Sequence, residues 1–179
     1  DLSGGMARAM SMAIVGKQVD LIPHTGVVVE WAGGGRGTEY FFGGGICVTP
    51  AGQSMPMPAC EVIPFGQTSK SESELRDFLG QISHRFTATT YNLLTHNCNH
   101  FSNEVVRFLT GGAIPSRIVD IANEALSTPQ GQALRGVIEG MQNRMVNANQ
   151  VNQFNPLAFA APAAMPAPPL AATPAPPSA

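Results

Sequence analysis

The sequence predicts an α+β fold in which a small antiparallel sheet packs against helices. Two observations support this class: β-branched segments bounded by glycine lie early in the chain, and helical periodicity replaces them after about residue 70. The 179 residues are 44% hydrophobic, which suffices for one globular core. We expect one domain over residues 1–146. The Ala/Pro-rich tail over 147–179 is expected to be disordered, because it cannot bury enough surface to offset the entropy of ordering.

The predicted strands come first along the chain. The segment "PHTGVVVEW" predicts a buried strand over about Gly26–Trp31, with His24 at its leading edge. The turn-rich "AGGGRG" and the following "TEYFF" predict a hairpin and a second strand over Glu39–Phe42. A third strand is expected within "CEVIPFG", residues 60–66. The opening "DLSGGMARAMS" has no apolar strand and no helix cap before Asp1, so we expect part of an N-terminal strand to be missing ahead of it.

The predicted helices follow the strands. The segment "SESELRDFLGQISHRF" begins with Ser71 and Glu74 in capping-box spacing and carries one apolar stripe. The segment "NCNHFSNEVVRFLTG" predicts a second helix, with Asn97 as its N-cap and Gly111 at its end. Shorter helices are expected after "IPS" and after "STP".

Cys98 is the first candidate for chemistry, because it lies in the first turn of a predicted helix. Unpaired N–H groups and the helix dipole there favour negative charge, so we expect a lowered thiol pKa and donors for an oxyanion. The alternative is packing: Cys98 shares the apolar stripe of Phe101, and cysteine is among the most buried residue types.

A nucleophilic cysteine needs a base, and His24 is the best candidate, since it begins a strand in an otherwise apolar stretch. The alternative for His24 is a satisfied, half-buried histidine near a strand end. His96 and His100 flank Cys98, but side chains two residues apart on a helix do not face each other. His84 is expected to face solvent.

A zinc site is the other chemical interpretation of the same segment. His96, Cys98 and His100 are of ligand type, but their alternate spacing suits a strand, whereas the following stripe indicates a helix. The chain offers no second ligand pair, so we expect no metal and no cofactor. The clusters "AGGGRG" and "FFGGG" lack the ending of a phosphate loop, and turns explain them better.

Composition excludes several partner classes. With a net charge of −2, 12% charged residues and no Lys/Arg run, the chain lacks the cluster of positive charge that binds nucleic acid or an anionic bilayer. No apolar run approaches the roughly 20 residues that span a membrane. Three widely spaced cysteines without a CxxC favour a reducing compartment, so we expect a cytoplasmic or nuclear protein.

Several motifs resemble one peptidase family in their ordered combination: "HTGVVVEW", "EYFFGGG", "YNLLTHNCNHFSNEVVRFLTG" and "LSTPQGQALR". From Asp1 to about Met145 the chain is similar to the PPPDE family of permuted papain-fold peptidases, in particular its desumoylating isopeptidases. The resemblance implies a circularly permuted papain-like cysteine peptidase fold with Cys98 as nucleophile and His24 as base.

The resemblance also implies a substrate class and an assembly. Family members cleave the isopeptide bond between SUMO or ubiquitin and a lysine, some cleave S-acyl thioesters, and they form homodimers. On this basis we expect Asn97 to contribute to an oxyanion site. Gly43, Gly44 and Gly45 are expected to line a narrow slot for the Gly-Gly end of a modifier. A deubiquitinase, an acyl-thioesterase and a noncatalytic modifier-binding module remain alternatives.

Overall fold

The structure, a computed structural model, describes residues 1–33 and 35–148. Its elements in chain order are α1 (Met6–Val15), β1 (Val27–Val29), β2 (Thr38–Phe42), β3 (Ile46–Pro50), α2 (Glu72–Ile82), a 3-10 turn (Ser83–Arg85), α3 (Cys98–Thr110), α4 (Ser116–Val119), α5 (Ile121–Ala125) and α6 (Pro129–Ala148). The predicted tail over 147–179 lies outside the described residues, apart from the end of α6.

The three strands form one antiparallel sheet in the order β1-β2-β3. Val28 lies opposite Glu39 across the first pair of strands, and Phe41 lies opposite Cys47 across the second. A small antiparallel sheet combined with helices confirms the predicted α+β class.

The prediction of a third strand at residues 60–66 is wrong. The third strand is Ile46–Pro50, which follows β2 after a short turn and pairs with it along its whole length. Pairing with the adjacent segment costs less loop-closure entropy than pairing with a more distant one. Residues 60–66 have no regular structure, Pro64 has no N–H to donate to a sheet, and Val62 is 82% exposed.

Helix α1 was not predicted from the sequence. Its start is held by Asp1, whose carboxylate accepts hydrogen bonds from the backbone N–H groups of Ser3 and Gly5, each at 2.9 Å. The same carboxylate accepts from Ile22 N–H at 3.0 Å, which ties the start of α1 to the segment before β1. An Ala/Met-rich sequence of high helix propensity continues the helix.

The main core lies between the sheet and helices α2 and α3. Phe42 and Phe101 are fully buried, and both meet Phe86 edge to face, at centroid distances of 5.1 and 5.2 Å. The predicted caps are confirmed: Ser71 and Glu74 form a capping box at α2, and Gly111 ends α3 in the left-handed conformation, with φ of 74°.

Two further observations concern what the described part of the chain contains. None of its helices is both long and apolar enough to span a membrane. Cys47, Cys60 and Cys98 are free thiols, and they are respectively half-buried, exposed and buried.

Candidate active site

Cys98 is the first residue of α3 and is 2% exposed. The preceding Asn97 adopts an extended conformation, and its side-chain oxygen accepts a hydrogen bond from Asn99 N–H at 2.9 Å, which confirms the predicted N-cap. The first N–H groups of an α-helix have no intrahelical acceptor. The sulfur therefore sits where backbone donors are available.

His24 lies just before β1 and is half-buried. Its ring contacts Phe41 of β2 edge to face, with the ring centroids 5.7 Å apart. Its Nε2 is buried and has no hydrogen-bond partner among the described residues. Buried polar atoms are nearly always paired, so an unpaired imidazole nitrogen calls for a functional explanation.

Hydrogen bonds join the residues on both sides of His24 to the first turn of α3. The Asn99 side chain donates from Nδ2 to the carbonyl oxygen of Pro23 at 3.3 Å. Thr25 Oγ1 lies 3.0 Å from Oδ1 of Asn99, 2.9 Å from Oγ of Ser102 and 3.4 Å from the carbonyl oxygen of Cys98.

Thr25, Asn99 and Ser102, called here the polar cluster, therefore hold the histidine segment against the cysteine helix. The structure thus brings the two predicted residues into one region. The described structure contains no hydrogen bond from the His24 ring to the Cys98 sulfur.

Burial raises the pKa of the Cys98 thiol above its ordinary value. Hydrogen bonds from the backbone of Thr25, from the Tyr91 side chain and from the backbone of Asn99 and Cys98 itself oppose this effect without overcoming it. The expectation of a lowered pKa from the helix position alone is therefore not met. Desolvation of the thiolate outweighs the first-turn donors.

Burial also lowers the pKa of His24, while the Coulomb interaction with Glu39 acts in the opposite direction. Glu39 is a 7% exposed carboxylate on β2. It accepts hydrogen bonds from Gly52 N–H at 2.9 Å and from Ser54 Oγ at 2.6 Å. The two shifts favour a neutral thiol beside a neutral imidazole at neutral pH.

Both polar atoms of the Asn97 side chain make hydrogen bonds with nearby backbone groups. Its oxygen caps α3, and its Nδ2 donates to the carbonyl oxygen of Leu93 at 2.8 Å. An amide nitrogen carries two hydrogens, so one remains for a ligand. A role for Asn97 at an oxyanion stays a prediction.

Gly43, Gly44 and Gly45 form the turn between β2 and β3. The Gly43 N–H donates to the Gly45 carbonyl oxygen at 3.0 Å, and Gly45 has a φ of 154°, which favours glycine. The turn follows Phe41 and Phe42 along β2, and these side chains contact His24 and Tyr91 respectively. Contact of the glycines with a substrate stays a prediction.

The two histidines that flank Cys98 are engaged elsewhere. His96 stacks on Phe86 at a centroid distance of 4.6 Å, and its Nδ1 lies 3.1 Å from the Thr90 carbonyl oxygen. His100 completes a capping box with Asn97 at the start of α3. Within the described residues, no three His, Cys, Asp or Glu side chains form a group suited to a metal ion.

Comparison with known proteins shows the family of this chain. Residues 1–139 match the family described as "PPPDE putative peptidase domain". This chain belongs to that family. Desumoylating isopeptidase 1 of Homo sapiens is 41% identical over 157 residues, which cover 87% of this chain and 90% of that protein. Desumoylating isopeptidase 1 of Xenopus laevis is 37% identical over 155 residues, covering 86% of this chain and 88% of that protein. The DeSI-like protein sdu1 of Schizosaccharomyces pombe is 34% identical over 116 residues, 60% of this chain and 55% of that protein.

In this PPPDE chain, sequence reasoning missed four residues around the candidate pair. They are Thr25, Glu39, Tyr91 and Asn99. The sequence held a usable signal for Asn99. Asn99 and Ser102 are polar and three residues apart, so they share a face of α3 beside its apolar stripe. Glu39 gave a weaker signal, as a carboxylate within an otherwise aromatic strand. Tyr91 and Thr25 reach Cys98 through the tertiary fold, which no local pattern records.

Proposed function

We propose that this chain is a cysteine isopeptidase that hydrolyses the bond between the C-terminal glycine of a ubiquitin-like modifier, SUMO in the first instance, and a substrate lysine. The observation that carries the proposal is the hydrogen-bonded contact between the His24 segment and the first turn of α3, where Cys98 lies. The name of the human and frog relatives, desumoylating isopeptidase 1, supports the substrate class.

The proposed reaction starts from the neutral pair. His24 takes the thiol proton as the sulfur of Cys98 attacks the carbonyl carbon of the modifier's terminal glycine. The protonated imidazole then gives that proton to the lysine nitrogen as the C–N bond breaks, which leaves a thioester on Cys98. Water, deprotonated by His24, attacks the thioester and releases the modifier carboxylate and the thiol.

This mechanism requires the His24 ring to reach the sulfur. Nε2 of His24 is available, because it is buried without a partner. In active sites without a substrate, hydrogen bonds between base and nucleophile are often long and shorten in the substrate complex. We expect ring rotation in the substrate complex to bring the imidazole nitrogen to the Cys98 sulfur.

The negative charge of the tetrahedral intermediate needs donors close to Cys98. The backbone N–H of Cys98 lies in the first turn of α3, where no helical carbonyl pairs with it. The remaining Nδ2 hydrogen of Asn97 is the proposed second donor. Removing one such donor typically lowers kcat by about 100- to 1000-fold.

We propose that Gly43, Gly44 and Gly45 admit the Gly-Gly end of the modifier and exclude branched residues. Gly44→Val is expected to abolish cleavage of a Gly-Gly conjugate while the protein stays folded. The matched control is Gly80→Val on α2, where an added Cβ meets nothing within 4 Å. If Gly44→Val cleaves the conjugate at the wild-type rate, the glycine slot is refuted.

We further propose that the domain over residues 1–146 has the permuted papain-like arrangement, in which the histidine strand precedes the cysteine helix along the chain. The observed order of His24, the sheet and then Cys98 in α3 supports this. Family resemblance also supports a homodimer, which a light-scattering mass of twice 18.8 kDa for this chain would establish.

The test of the function is labelling by modifier probes. SUMO and ubiquitin that carry a C-terminal vinyl sulfone are added in parallel to the wild type, Cys98→Ala and His24→Ala. The matched controls are Cys60→Ala, which removes an exposed thiol, and His84→Ala, which removes an exposed imidazole. We expect SUMO to label the wild type and both controls, and neither modifier to label Cys98→Ala.

Each other outcome assigns a different function. Preferential labelling by ubiquitin indicates a deubiquitinase. Labelling by neither probe, combined with release of an S-acyl group, indicates a thioesterase that uses the same pair. Tight binding of SUMO by wild type and Cys98→Ala, without labelling or cleavage, indicates a noncatalytic binding module and refutes the proposal.

A further inference from the structure

We propose that Asn99 is the positioning residue of the Cys98/His24 pair: its side-chain amide holds Pro23 and Thr25, the two neighbours of His24, against the cysteine helix, with Oδ1 beside the sulfur. The inference rests on the proposed function, because it concerns the same pair. It assigns a task to a residue that the chemistry of the reaction does not itself require.

The contacts of Asn99 reach both members of the pair. Nδ2 donates to the carbonyl oxygen of Pro23, immediately before His24, and Oδ1 lies 3.0 Å from Oγ1 of Thr25, immediately after it. The same Oδ1 lies 3.7 Å from Cys98 Sγ and accepts its thiol hydrogen. One side chain therefore fixes both neighbours of the base and orients the thiol.

The asparagine amide has, on two separate atoms, both groups that these contacts use. The Pro23 carbonyl needs a donor, whereas the Thr25 hydroxyl and the Cys98 thiol need an acceptor. Aspartate would keep the acceptor, lose the donor and place a negative charge beside the sulfur. Glutamine would lengthen a side chain that is 2% exposed. Asparagine thus matches both the chemistry and the available volume.

Ser102 contributes less to this arrangement than Asn99. Its hydroxyl lies 2.9 Å from Thr25 Oγ1, and among the described residues it makes no hydrogen bond with the Cys98 sulfur or with Pro23. The hydroxyl of Thr25 carries one hydrogen, so it can donate either to Ser102 Oγ or to Asn99 Oδ1, but not to both at once. Loss of the Ser102 hydroxyl should weaken packing and leave the position of the pair largely unchanged.

The chain provides a matched control for Asn99. Asn103 lies one turn later on α3, and its Oδ1 accepts a hydrogen bond from Ile114 N–H at 3.1 Å. It therefore also fastens a loop to the same helix. None of the contacts found for Asn103 involves His24 or Cys98. A general cost of removing a helix-to-loop hydrogen bond will appear in both positions, whereas a positioning effect will appear only at Asn99.

The experiment compares Asn99→Leu, Asn99→Asp and Asn103→Leu with the wild type in the full chain. Three quantities are measured: melting temperature, kcat on a SUMO-lysine isopeptide, and the pH profile of Cys98 alkylation by iodoacetamide, followed by peptide mass spectrometry to separate Cys98 from Cys47 and Cys60. The alkylation profile requires no substrate, so it remains informative if the proposed activity is absent.

Asn99→Leu is expected to lower kcat by about 100-fold, the effect of a misplacement of roughly 1 Å, with KM little changed. Asn103→Leu removes one hydrogen bond at a half-buried position, so it should lower the melting temperature and leave kcat within about twofold. Asn99→Asp should shift the alkylation profile to higher pH, because a carboxylate beside the sulfur opposes the thiolate. That variant keeps the side-chain volume, so it is informative even if Asn99→Leu does not fold.

Two results would overturn the inference. One is a kcat and an alkylation profile for Asn99→Asp that match the wild type. The other is an equal loss of kcat in Asn99→Leu and Asn103→Leu, which would assign Asn99 a structural role only. Failure of the proposed function is distinguishable, since the wild type itself would then show no cleavage that depends on Cys98.

Discussion

Gly26 provides a sharp test of the packing between the first two strands. In Gly26→Ala the new Cβ would overlap Oε1 of Glu39 and lie 3.0 Å from its Cγ and 3.1 Å from its Cδ. Carbon atoms in contact are ordinarily about 3.5–4.0 Å apart. The carboxylate must therefore move by roughly 0.5–1 Å, or β1 must separate from β2.

Both responses lower the stability of the folded protein. Moving the carboxylate stretches its hydrogen bonds with Gly52 N–H and Ser54 Oγ, which are 2.9 and 2.6 Å long. An unsatisfied buried polar group costs about 1–3 kcal/mol, and overpacking by one methyl costs a similar amount. We expect Gly26→Ala to lower the free energy of unfolding by about 2 kcal/mol, which lowers the melting temperature by roughly 4–8 °C in a domain of this size.

The assay is thermal unfolding followed by circular dichroism, with Gly80→Ala as the control. An added Cβ at Gly80 meets nothing within 4 Å, and Gly80 lies within α2, so alanine there should stabilise by about 0.5–1 kcal/mol. If Glu39 is the obstacle, the effect of Gly26→Ala should shrink by at least about 1 kcal/mol in a Glu39→Ala background. A Gly26→Ala protein that melts at the wild-type temperature would refute the reasoning.

Four further predictions concern the site and the core. Because burial raises the pKa of Cys98, its alkylation rate should still increase above pH 9.0, the ordinary thiol value, which a stopped-flow pH series measures. Because burial lowers the pKa of His24 in the folded protein below 6.5, the unfolded chain binds the proton more readily. The free energy of unfolding should therefore decline as the pH falls from 6.5 to the pKa of the folded state. Urea unfolding of His24→Ala should show a smaller decline over the same pH range. Phe101→Ala removes a fully buried ring and should cost about 3–5 kcal/mol in chemical unfolding, whereas Phe65→Ala, at a 36% exposed position, should cost far less. Asn97→Ser keeps a capping oxygen but loses the hydrogen bond to the Leu93 carbonyl, so it should lower stability by about 1–2 kcal/mol. A fall in kcat of about 100-fold or more, measured where the variant is fully folded, would support the amide as an oxyanion donor.

Local chemistry made several elements predictable from the sequence. The capping box at Ser71, the N-cap at Asn97 and the glycine stop at Gly111 each depend on residues within one turn of the helix. These interactions join residues that are neighbours in the sequence, so they need no tertiary contact. The start of α2 and both ends of α3 could therefore be predicted from the sequence.

The remaining features depend on contacts between distant segments. The third strand at Ile46–Pro50 was missed, because its pairing with β2 determines it more than its own pattern, and α1 was missed because Asp1 fixes its start through the loop before β1. The pKa of Cys98 depends on burial by the whole fold, which outweighs the helix position that the sequence reveals. His24 could be singled out as a candidate base from its place at the start of a strand, and family resemblance supported that choice, but no residue pattern specifies a contact across the chain.

The contact between Thr25 and Cys98 joins residues that are 73 positions apart, which has a consequence for refolding. Helices form within about a microsecond, whereas contacts between residues far apart in the sequence form later, because closing the loop between them costs conformational entropy. Helical ellipticity should recover first in a refolding experiment, and the reactivity of the thiol should reach its native value only afterwards. The reactivity of the Cys98 thiol would then report on a late step of folding.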